Sequence, residues 1–363
     1  MVLQLTQEQE LIVQSVREFA QETQKETDAY QVVKGLADMD FLGIFYPEEY
    51  GGAGTDFTSF ILALEELAKT NASAALIYAN QCSLVAYAIY RWGTQEQKST
   101  YLPSLFSAEI FGGLAYIDKD PSEEWQPCTA RREGDCFVLN GEKSYVINGS
   151  KAGVYVVTAL VDEALTAFLV EKDTPGLTCG PAWEKMGLDG VEVTNIQLAE
   201  VKVPAENLLG EVGQGGAILA EVLALNHIAM AAITVGICQR AFEASVAYSQ
   251  ERIQFGRPIA KLQAIQTMIG NMATNIQAAR LLAYQAAALK DQDKDFSHLA
   301  DMARYFADIH GELVCQDAIQ IHGGYGYSED LGIEKLLRDV KGISLFAGPA
   351  VPLCLKIARD ELE

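Results

Sequence analysis

The segment ERIQFGRP (residues 251–258) contains residues that could bind an anion. It places Arg252 at the end of a long helical pattern and Phe255 in the turn that follows. A guanidinium group suits bidentate contact with phosphate, so Arg252 is a candidate phosphate ligand. The alternative is an ordinary helix C-terminus followed by a solvated basic turn, and the residue types alone leave both open.

A second candidate segment, QIHGGYGY (residues 320–327), has glycines at 323, 324 and 326 after another helical pattern. Glycines cost backbone entropy, and a need for unusual dihedrals or for close backbone approach justifies them. An anion or a ring lying against Gly323 and Gly324 would supply that reason. A plain helix stop explains them nearly as well, with His322 as a polar residue at the helix end.

Three regions that differ in hydrophobic periodicity must position these segments. Residues 1–112 are helical in pattern, residues 113–205 contain short β-branched runs punctuated by glycine and proline, and residues 206–363 are helical again. Long alanine-rich helices with little charge usually pack as a bundle. The sequence therefore predicts a multi-domain α+β fold: a helical domain, a middle β-barrel or β-sandwich domain, and a C-terminal four-helix bundle.

Local signals refine these regions. Asp56 or Thr58 can cap a helix carrying the apolar residues that follow. The Asn-Gly pair within residues 136–148 predicts a tight turn between two strands. Pro258 predicts the first turn of the second bundle helix.

Composition limits the partners. The chain has 363 residues and a formal net charge of -22, which disfavours nucleic acid and anionic membranes as partners. We expect no transmembrane helix, because no window of about 18 residues is uninterrupted in its apolar character. The seven cysteines are scattered without a close pair, which predicts reduced thiols and a cytoplasmic location, and no metal site is expected.

Taken together, the motifs resemble those of the acyl-CoA dehydrogenase family of flavoproteins, over nearly the whole chain. The matching stretches, in chain order, are YLPSLFSAE, DTPGL, KMG, VKVPAENLLGEVGQG, YSQERIQFGRPIAKLQAIQ and QIHGGYGYSEDLGIEKLLRDVK. The resemblance implies the same three-domain fold, with FAD between the β-domain and the bundle, in a dimer or a dimer of dimers.

The resemblance also assigns roles to particular residues. In the family, the arginine turn, a glutamine in the next helix and the glycine segment touch the FAD of the neighbouring subunit. The positions that match here are Arg252, Phe255, Gln263, Gln320, Gly323 and Gly324. Within the same subunit, Tyr145 matches the family's residue that packs on the flavin ring, and Ile147 matches the residue that reaches flavin N5.

The catalytic positions depart from the family. Its usual base, a glutamate near the C-terminus, matches Ala347, and alanine has no ionisable group. Some members carry the glutamate on the first long bundle helix, where this chain has Asn226 beside His227. An aspartate that helps to hold CoA in the family matches Ala224.

The expected surroundings of the flavin ring also differ. The family's loop is shortened here to IDKDPSEEWQPC (residues 117–128), and Ile147 cannot donate a hydrogen bond to flavin N5, although Tyr145 can still stack. Asp118 is a candidate for a replacement acid or base, with a surface-loop carboxylate as the alternative. Glu123 and Glu124 are expected to be solvated.

Three functions remain open at this point. The first is an FAD flavoenzyme acting on the α,β-bond of an acyl-CoA or acyl-carrier-protein thioester by non-standard chemistry, with electron-transfer flavoprotein as a possible partner. The second is a non-catalytic subunit that shares an FAD site within a heteromeric acyl-CoA dehydrogenase. The third is a flavin-free scaffold. The chain is expected to be a homo-oligomer or a heteromer with a second chain of the family.

Overall fold

The computed structural model describes residues 5–118, 127–346 and 350–362. Ala347, which matches the family's base, and the loop carboxylates Glu123 and Glu124 lie outside the described residues. Helices form both ends of the chain and strands form its middle, so the predicted order of helical, β and helical regions is confirmed.

The elements follow that order. The N-terminal helices are α1 (Gln7–Glu22), α2 (Ala29–Ala37), α3 (Phe57–Ala68), α4 (Ala72–Ala79), α5 (Tyr87–Trp92) and α6 (Gln95–Phe106), with a π-helical segment at Asn80–Ala86. The middle strands are β1 (Phe111–Ala115), β2 (Thr129–Glu133), β3 (Cys136–Ile147), β4 (Ala152–Val161), β5 (Ala164–Glu171), β6 (Leu177–Cys179), β7 (Val193–Pro204) and β8 (Leu208–Leu209). The C-terminal elements are α7 (Gly215–Glu251), β9 (Ile253–Gln254), β10 (Arg257–Pro258), α8 (Gln263–Asp291), α9 (Ser297–His322), α10 (Gly324–Tyr327), α11 (Ile333–Phe346) and α12 (Ala350–Leu362).

Helix α3 docks the N-terminal domain onto the bundle. Its start is fixed by Asp56, whose carboxylate accepts from the Ser59 amide at 2.7 Å, as the capping prediction required. Every residue of α3 is buried, and the helix packs on α7 and α8. Its Glu65 carboxylate accepts hydrogen bonds from Arg280 and Tyr284 of α8, so the charge that this interface buries is compensated.

The middle domain is a mixed sheet with strand order β6-β7-β3-β2-β4-β5-β8, in which β1 pairs in parallel with β4. The predicted turn at Asn140–Gly141 is wrong, because β3 runs straight through it and pairs with β7 along both halves. The turn lies earlier, at Gly134. Gly141 instead marks an irregular register with φ 143°, where a Cβ atom would come within 2.7 Å of the Cys128 Cα.

The bundle is built on α7, α8 and α9, which pack on one another with α11 and α12 against α9. The prediction that Pro258 opens the second bundle helix is wrong. Pro258 pairs with Ile253 in the small hairpin of β9 and β10, and α8 begins only at Gln263. A proline suits this hairpin edge as well as a first helical turn, because neither position needs its missing amide.

Two stretches of the described residues are long and apolar enough to cross a membrane, Ala72–Trp92 and Gly215–Glu251, and α11 with α12 would form a third candidate if they made one bent span. By length and composition, the expectation that the chain has no helix able to cross a membrane is therefore wrong. An uninterrupted apolar run was too strict a criterion, because isolated polar residues interrupt both stretches. Inside the protein, 100% of the first apolar window and 72% of the second are buried, so packing accounts for their composition.

Candidate functional site

The first candidate segment forms a tight hairpin directly after α7. The Arg252 amide still bonds to the Tyr248 carbonyl at 2.9 Å, and the chain then reverses through Phe255 (φ 53°) and Gly256 (φ 75°). Positive φ is uncommon for phenylalanine and raises the free energy of the fold. The Phe255 side chain is nevertheless 89% exposed. The hairpin thus holds an apolar ring out from the surface at a conformational cost, which favours burial of that ring against another molecule.

The three glycines of the second segment have three different explanations. Gly323 ends α9 with φ 59° and ψ -129°, a conformation that strongly favours glycine. A Cβ atom on Gly326 would lie 2.4 Å from the Ile319 carbonyl oxygen, so close packing excludes a side chain there. A Cβ atom on Gly324 would meet nothing within 4 Å among the described residues. Gly324 is therefore the glycine for which the described chain supplies no steric reason.

These two segments line one cleft of about 590 Å³ on the bundle. Arg252, Gly323 and Gly324 all contribute to it, so the structure brings together three of the six residues that the resemblance assigned to the FAD of a neighbouring subunit. The Arg252 side chain has no hydrogen-bond or ion-pair partner among the described residues. An unpaired guanidinium beside open backbone can bind an anion with charge-assisted hydrogen bonds.

The other predicted FAD contacts lie outside the lining of this cleft. Gln263 is the first residue of α8 and Gln320 lies in the last turn of α9, and both are exposed. Phe255 extends from the hairpin tip. These three side chains are free to contact another molecule.

His322 forms one wall of the cleft together with Tyr248, a residue that the sequence did not single out. Their rings stack at 4.5 Å, and the histidine is 4% exposed. Its Nδ1 lies 2.8 Å from the Ala318 carbonyl oxygen, which can only accept, so Nδ1 carries the proton. Burial lowers the pKa of His322, and the bond to Ala318 opposes this only in part. The wall of the cleft formed by His322 and Tyr248 is therefore neutral near pH 7.

The residues predicted to contact the flavin ring lie on the middle domain, outside the lining of this cleft. Tyr145 occupies the irregular end of β3 with φ 59°, is 40% exposed, and packs against Trp183 with ring centroids 4.7 Å apart. Ile147 is 8% exposed and pairs with Val193 of β7. Tyr145 thus presents a face to a planar ligand, and Ile147 offers it little surface.

Asp118 already has strong partners. Its carboxylate accepts from the Lys143 ammonium at 2.7 Å and from the Cys128 amide at 3.0 Å. Lys143 is 1% exposed, so Asp118 neutralises a buried cation. A carboxylate held in this way is poorly placed to exchange protons with a substrate.

The helix α7 positions that match the family's second base site are both engaged. The Asn226 Oδ1 accepts from the Ser83 hydroxyl at 3.1 Å, while Ala224 is buried. His227 Nδ1 lies 2.7 Å from Asp301 of α9, whose second oxygen accepts from Lys356 of α12. No sequence pattern indicates Asp301 or Lys356, because the three residues meet only when the three helices pack.

The chain is similar to known proteins over its whole length. Sequence families described as acyl-CoA dehydrogenase N-terminal, middle and C-terminal domains match residues 6–109, 121–201 and 213–362. The probable acyl-CoA dehydrogenase YngJ of Bacillus subtilis is 38% identical, over 100% of both chains. The chain belongs to the acyl-CoA dehydrogenase family. It is therefore an oxidoreductase of a family of FAD flavoproteins.

Two further similarities extend this assignment. Acryloyl-CoA reductase (NADH) of Anaerotignum propionicum is 36% identical over 99% of this chain and 95% of its own length. A chain of the solved structure "Electron transferring flavoprotein of Acidaminococcus fermentans: Towards a mechanism of flavin-based electron bifurcation" superposes with a TM-score of 0.95 and 37% identity, over 100% of both chains.

The residues of this acyl-CoA dehydrogenase family member fit one part of FAD better than another. The unpaired Arg252 and the open backbone at Gly324 fit a diphosphate, although the Asp330 carboxylate also lines the cleft. On the middle domain, Tyr145 can stack on a flavin ring, but Ile147 has no polar atom to offer it. The described residues thus favour the phosphate half of the cofactor over the ring half.

Proposed function

We propose that this chain is an FAD flavoenzyme that acts on the α,β-bond of an acyl thioester without the family's usual glutamate base. The observation that carries the cofactor part is the cleft in which an unpaired Arg252 faces the open backbone of Gly323 and Gly324. FAD, when bound, would supply hydride transfer at its N5. Arg252 and the glycine segment would hold its diphosphate from the bundle.

Family membership and the relatives support the thioester part. The relative named acryloyl-CoA reductase acts, by its name, on the double bond of a short acyl-CoA. Reduction of such a bond needs a proton at the α-carbon, and its oxidation removes one, so either direction needs a group that transfers this proton. With Ala347 at the position of the usual glutamate, another group would have to transfer it in this chain.

The position of the cleft favours a shared cofactor site. Phe255, Gln263 and Gln320 are exposed around it, and Phe255 keeps its exposed position at a conformational cost. A second chain that covered this face would bury the ring and complete the contacts to the cofactor. The second chain could be another copy of this protein or a different family member, and the latter would make this chain the FAD-sharing subunit of a heteromer.

Purification tests these proposals directly. The chain is expressed alone and its FAD content is measured by absorbance per chain, before and after incubation with FAD. Consumption of crotonyl-CoA or butyryl-CoA is then followed with a dye as electron donor or acceptor, and with electron-transfer flavoprotein in parallel. Bound FAD with turnover of either thioester supports the flavoenzyme, and FAD held only with a co-expressed family member supports the shared subunit. A protein that never binds FAD would overturn both and leave the flavin-free scaffold.

A further inference from the structure

A buried histidine–carboxylate pair lies between three helices of the bundle. His227 stands in the middle of α7, and its Nδ1 is 2.7 Å from the Asp301 carboxylate on α9. Asp301 is fully buried, and the Lys356 ammonium from α12 donates to its other oxygen. A carboxylate can only accept, so Nδ1 of the imidazole donates. The lone pair of the neutral ring is therefore on Nε2.

The charge states of the pair follow from its surroundings. Burial lowers the pKa of His227; the bond to Asp301 raises it, and the nearby Arg304 and Lys356 cations lower it further. Burial would raise the pKa of Asp301, but the bonds from His227 and Lys356 bring it below its ordinary value. The pair is thus a neutral imidazole beside an ionised carboxylate near pH 7. This is the resting state of a histidine that acts as a general base.

The second nitrogen of this histidine is open among the residues that the structure describes. Nε2 makes no hydrogen bond to any described residue, although the side chain is only 13% exposed. Asn226 beside it turns its amide oxygen to Ser83 instead. Nε2 is not among the fully buried atoms that lack a partner, so it is accessible from outside the pair. A nitrogen oriented from behind by a carboxylate and left open in front can take a proton from a ligand.

The pair also lies near the junction of the bundle with the middle domain. The neighbouring Asn226 bonds to Ser83 of the π-helical segment, and Asn80 of the same segment donates to the Gly112 carbonyl of β1 at 2.8 Å. Tyr116 directly follows β1 and leads to Asp118, in the segment that the resemblance places beside the flavin. The histidine therefore lies on the side of the bundle where the proposed function puts the acyl thioester.

We propose that His227 is the proton-transferring residue of the site and that Asp301 is the residue that positions it. In the direction of proton removal, the bond between the α-carbon and its hydrogen breaks, and the proton moves to Nε2. The electron pair stays on the α-carbon and delocalises onto the thioester carbonyl oxygen as an enolate. In the direction of reduction, the same nitrogen returns the proton to the α-carbon. This inference rests on the proposed function, because it needs an acyl thioester in the site.

Exchange of the α-proton with solvent tests this step without any net redox reaction. The FAD-loaded protein is incubated with butyryl-CoA in D₂O, and deuterium at the α-carbon is measured by mass spectrometry. Wild type should exchange, and His227→Gln should lose roughly 100-fold or more, the usual contribution of a general base. Binding of butyryl-CoA, measured separately by calorimetry, should change little. His298→Gln is the matched control, because His298 also pairs with carboxylates, Asp360 and Glu361, but on the surface.

The outcomes separate this inference from the proposed function. Binding without exchange in wild type, or equal exchange in His227→Gln, would overturn the role of His227 and leave the proposed function intact. Failure of wild type to bind any of butyryl-CoA, crotonyl-CoA or an acyl-carrier-protein thioester would overturn both.

A second measurement does not depend on the fold of a variant. Diethyl pyrocarbonate acylates accessible neutral imidazole nitrogens, and the chain has only four histidines to map by mass spectrometry. Modification of His227 in wild type should stop exchange, and butyryl-CoA should protect it. Modification of His227 with exchange unchanged would contradict the role.

The role of Asp301 has its own readout. In Asp301→Asn the exchange rate should fall and its dependence on pH should change, because Nδ1 no longer faces a carboxylate. Arg304 and Lys356 are the other charged groups facing the histidine, and both remain. A purely structural Asp301 would lower the melting temperature and leave the pH profile of exchange unchanged.

Discussion

The two ends of helix α9 differ in whether the charged side chains beside them have partners within the described residues. In its first half, Arg304 and Asp308 are buried, and the Arg304 guanidinium donates to Asp308 and to the Ser344 carbonyl. At its end, Gly323 and Gly324 open into a cleft where Arg252 has no partner among the described residues. The first arrangement stabilises the fold from within, whereas the second is stabilised only when something binds. Variants at the first end should therefore affect stability, and variants at the second end should affect ligand binding.

Removal of Arg304 should cause the largest loss of stability. Arg304→Met leaves the Asp308 carboxylate buried without its cation at 2.8 Å, which costs about 3–5 kcal/mol of the free energy of unfolding. Thermal unfolding followed by circular dichroism measures the loss. The double variant Arg304→Met/Asp308→Leu should recover part of it, because an apolar pair no longer buries a lone charge.

A surface pair gives the contrast. Arg131 bonds to Glu200 and Glu133 with about half of its side chain exposed, so Arg131→Met should barely change the melting temperature. Equal losses from Arg304→Met and Arg131→Met would contradict the distinction between the buried and the open end of α9.

Arg252→Ala should reverse this pattern, with a large effect on binding and little on stability. A charge-assisted contact contributes roughly 1.5–3 kcal/mol, so FAD affinity should fall by about 10- to 100-fold. Titration of the apoprotein with FAD, followed by flavin fluorescence, measures this. Arg257→Ala is the matched control, since it removes the same charge from the same hairpin outside the cleft lining. Equal losses in both variants would point to general electrostatics and not to a site.

The glycines allow a sharper test at a single segment. Gly324→Ala should leave the melting temperature almost unchanged, because its Cβ atom meets nothing within 4 Å, and should weaken FAD binding several-fold. Gly326→Ala should do the reverse, because its Cβ atom would lie 2.4 Å from the Ile319 carbonyl oxygen. Unchanged FAD binding in Gly324→Ala would show that nothing approaches the backbone there.

The sequence predicts the architecture well and the local chain path less well. The hydrophobic periodicity changes from helical to strand-like near residue 113, which predicts the start of the β-domain, because helices and strands bury residues at different spacings. The Asn-Gly pair at 140–141 fails as a turn, since β7 pairs along the full length of β3 and overrides the local preference. Pro258 fails as a helix start for a similar reason, because the hairpin with Ile253 is also satisfied without an amide there.

The candidate site also has a part that the sequence predicts and a part that it does not. Arg252, Gly323 and Gly324 could be found from sequence because each belongs to a short motif of continuous residues. The partnership of Asp301 with His227 could not, because 74 residues separate them and only helix packing joins them. Asp118 was a reasonable candidate by type, and only its contact with the buried Lys143 shows how its charge is used.

The smallest expected effect concerns His322, which belongs to the open end of α9 but is itself buried. Burial lowers its pKa below the ordinary 6.5, so the unfolded chain binds a proton there more readily than the folded one. Its contribution to stability is therefore present above pH 6.5 and is lost as the pH falls through 6.5 towards the folded pKa. His322→Phe keeps a ring against Tyr248 and removes this titration, although it gives up the bond to Ala318. The melting temperature of the variant should fall less steeply than that of wild type between pH 7 and 5. Equal slopes would mean that His322 is protonated in the fold as easily as in water, and that the wall of the cleft carries a positive charge at acid pH.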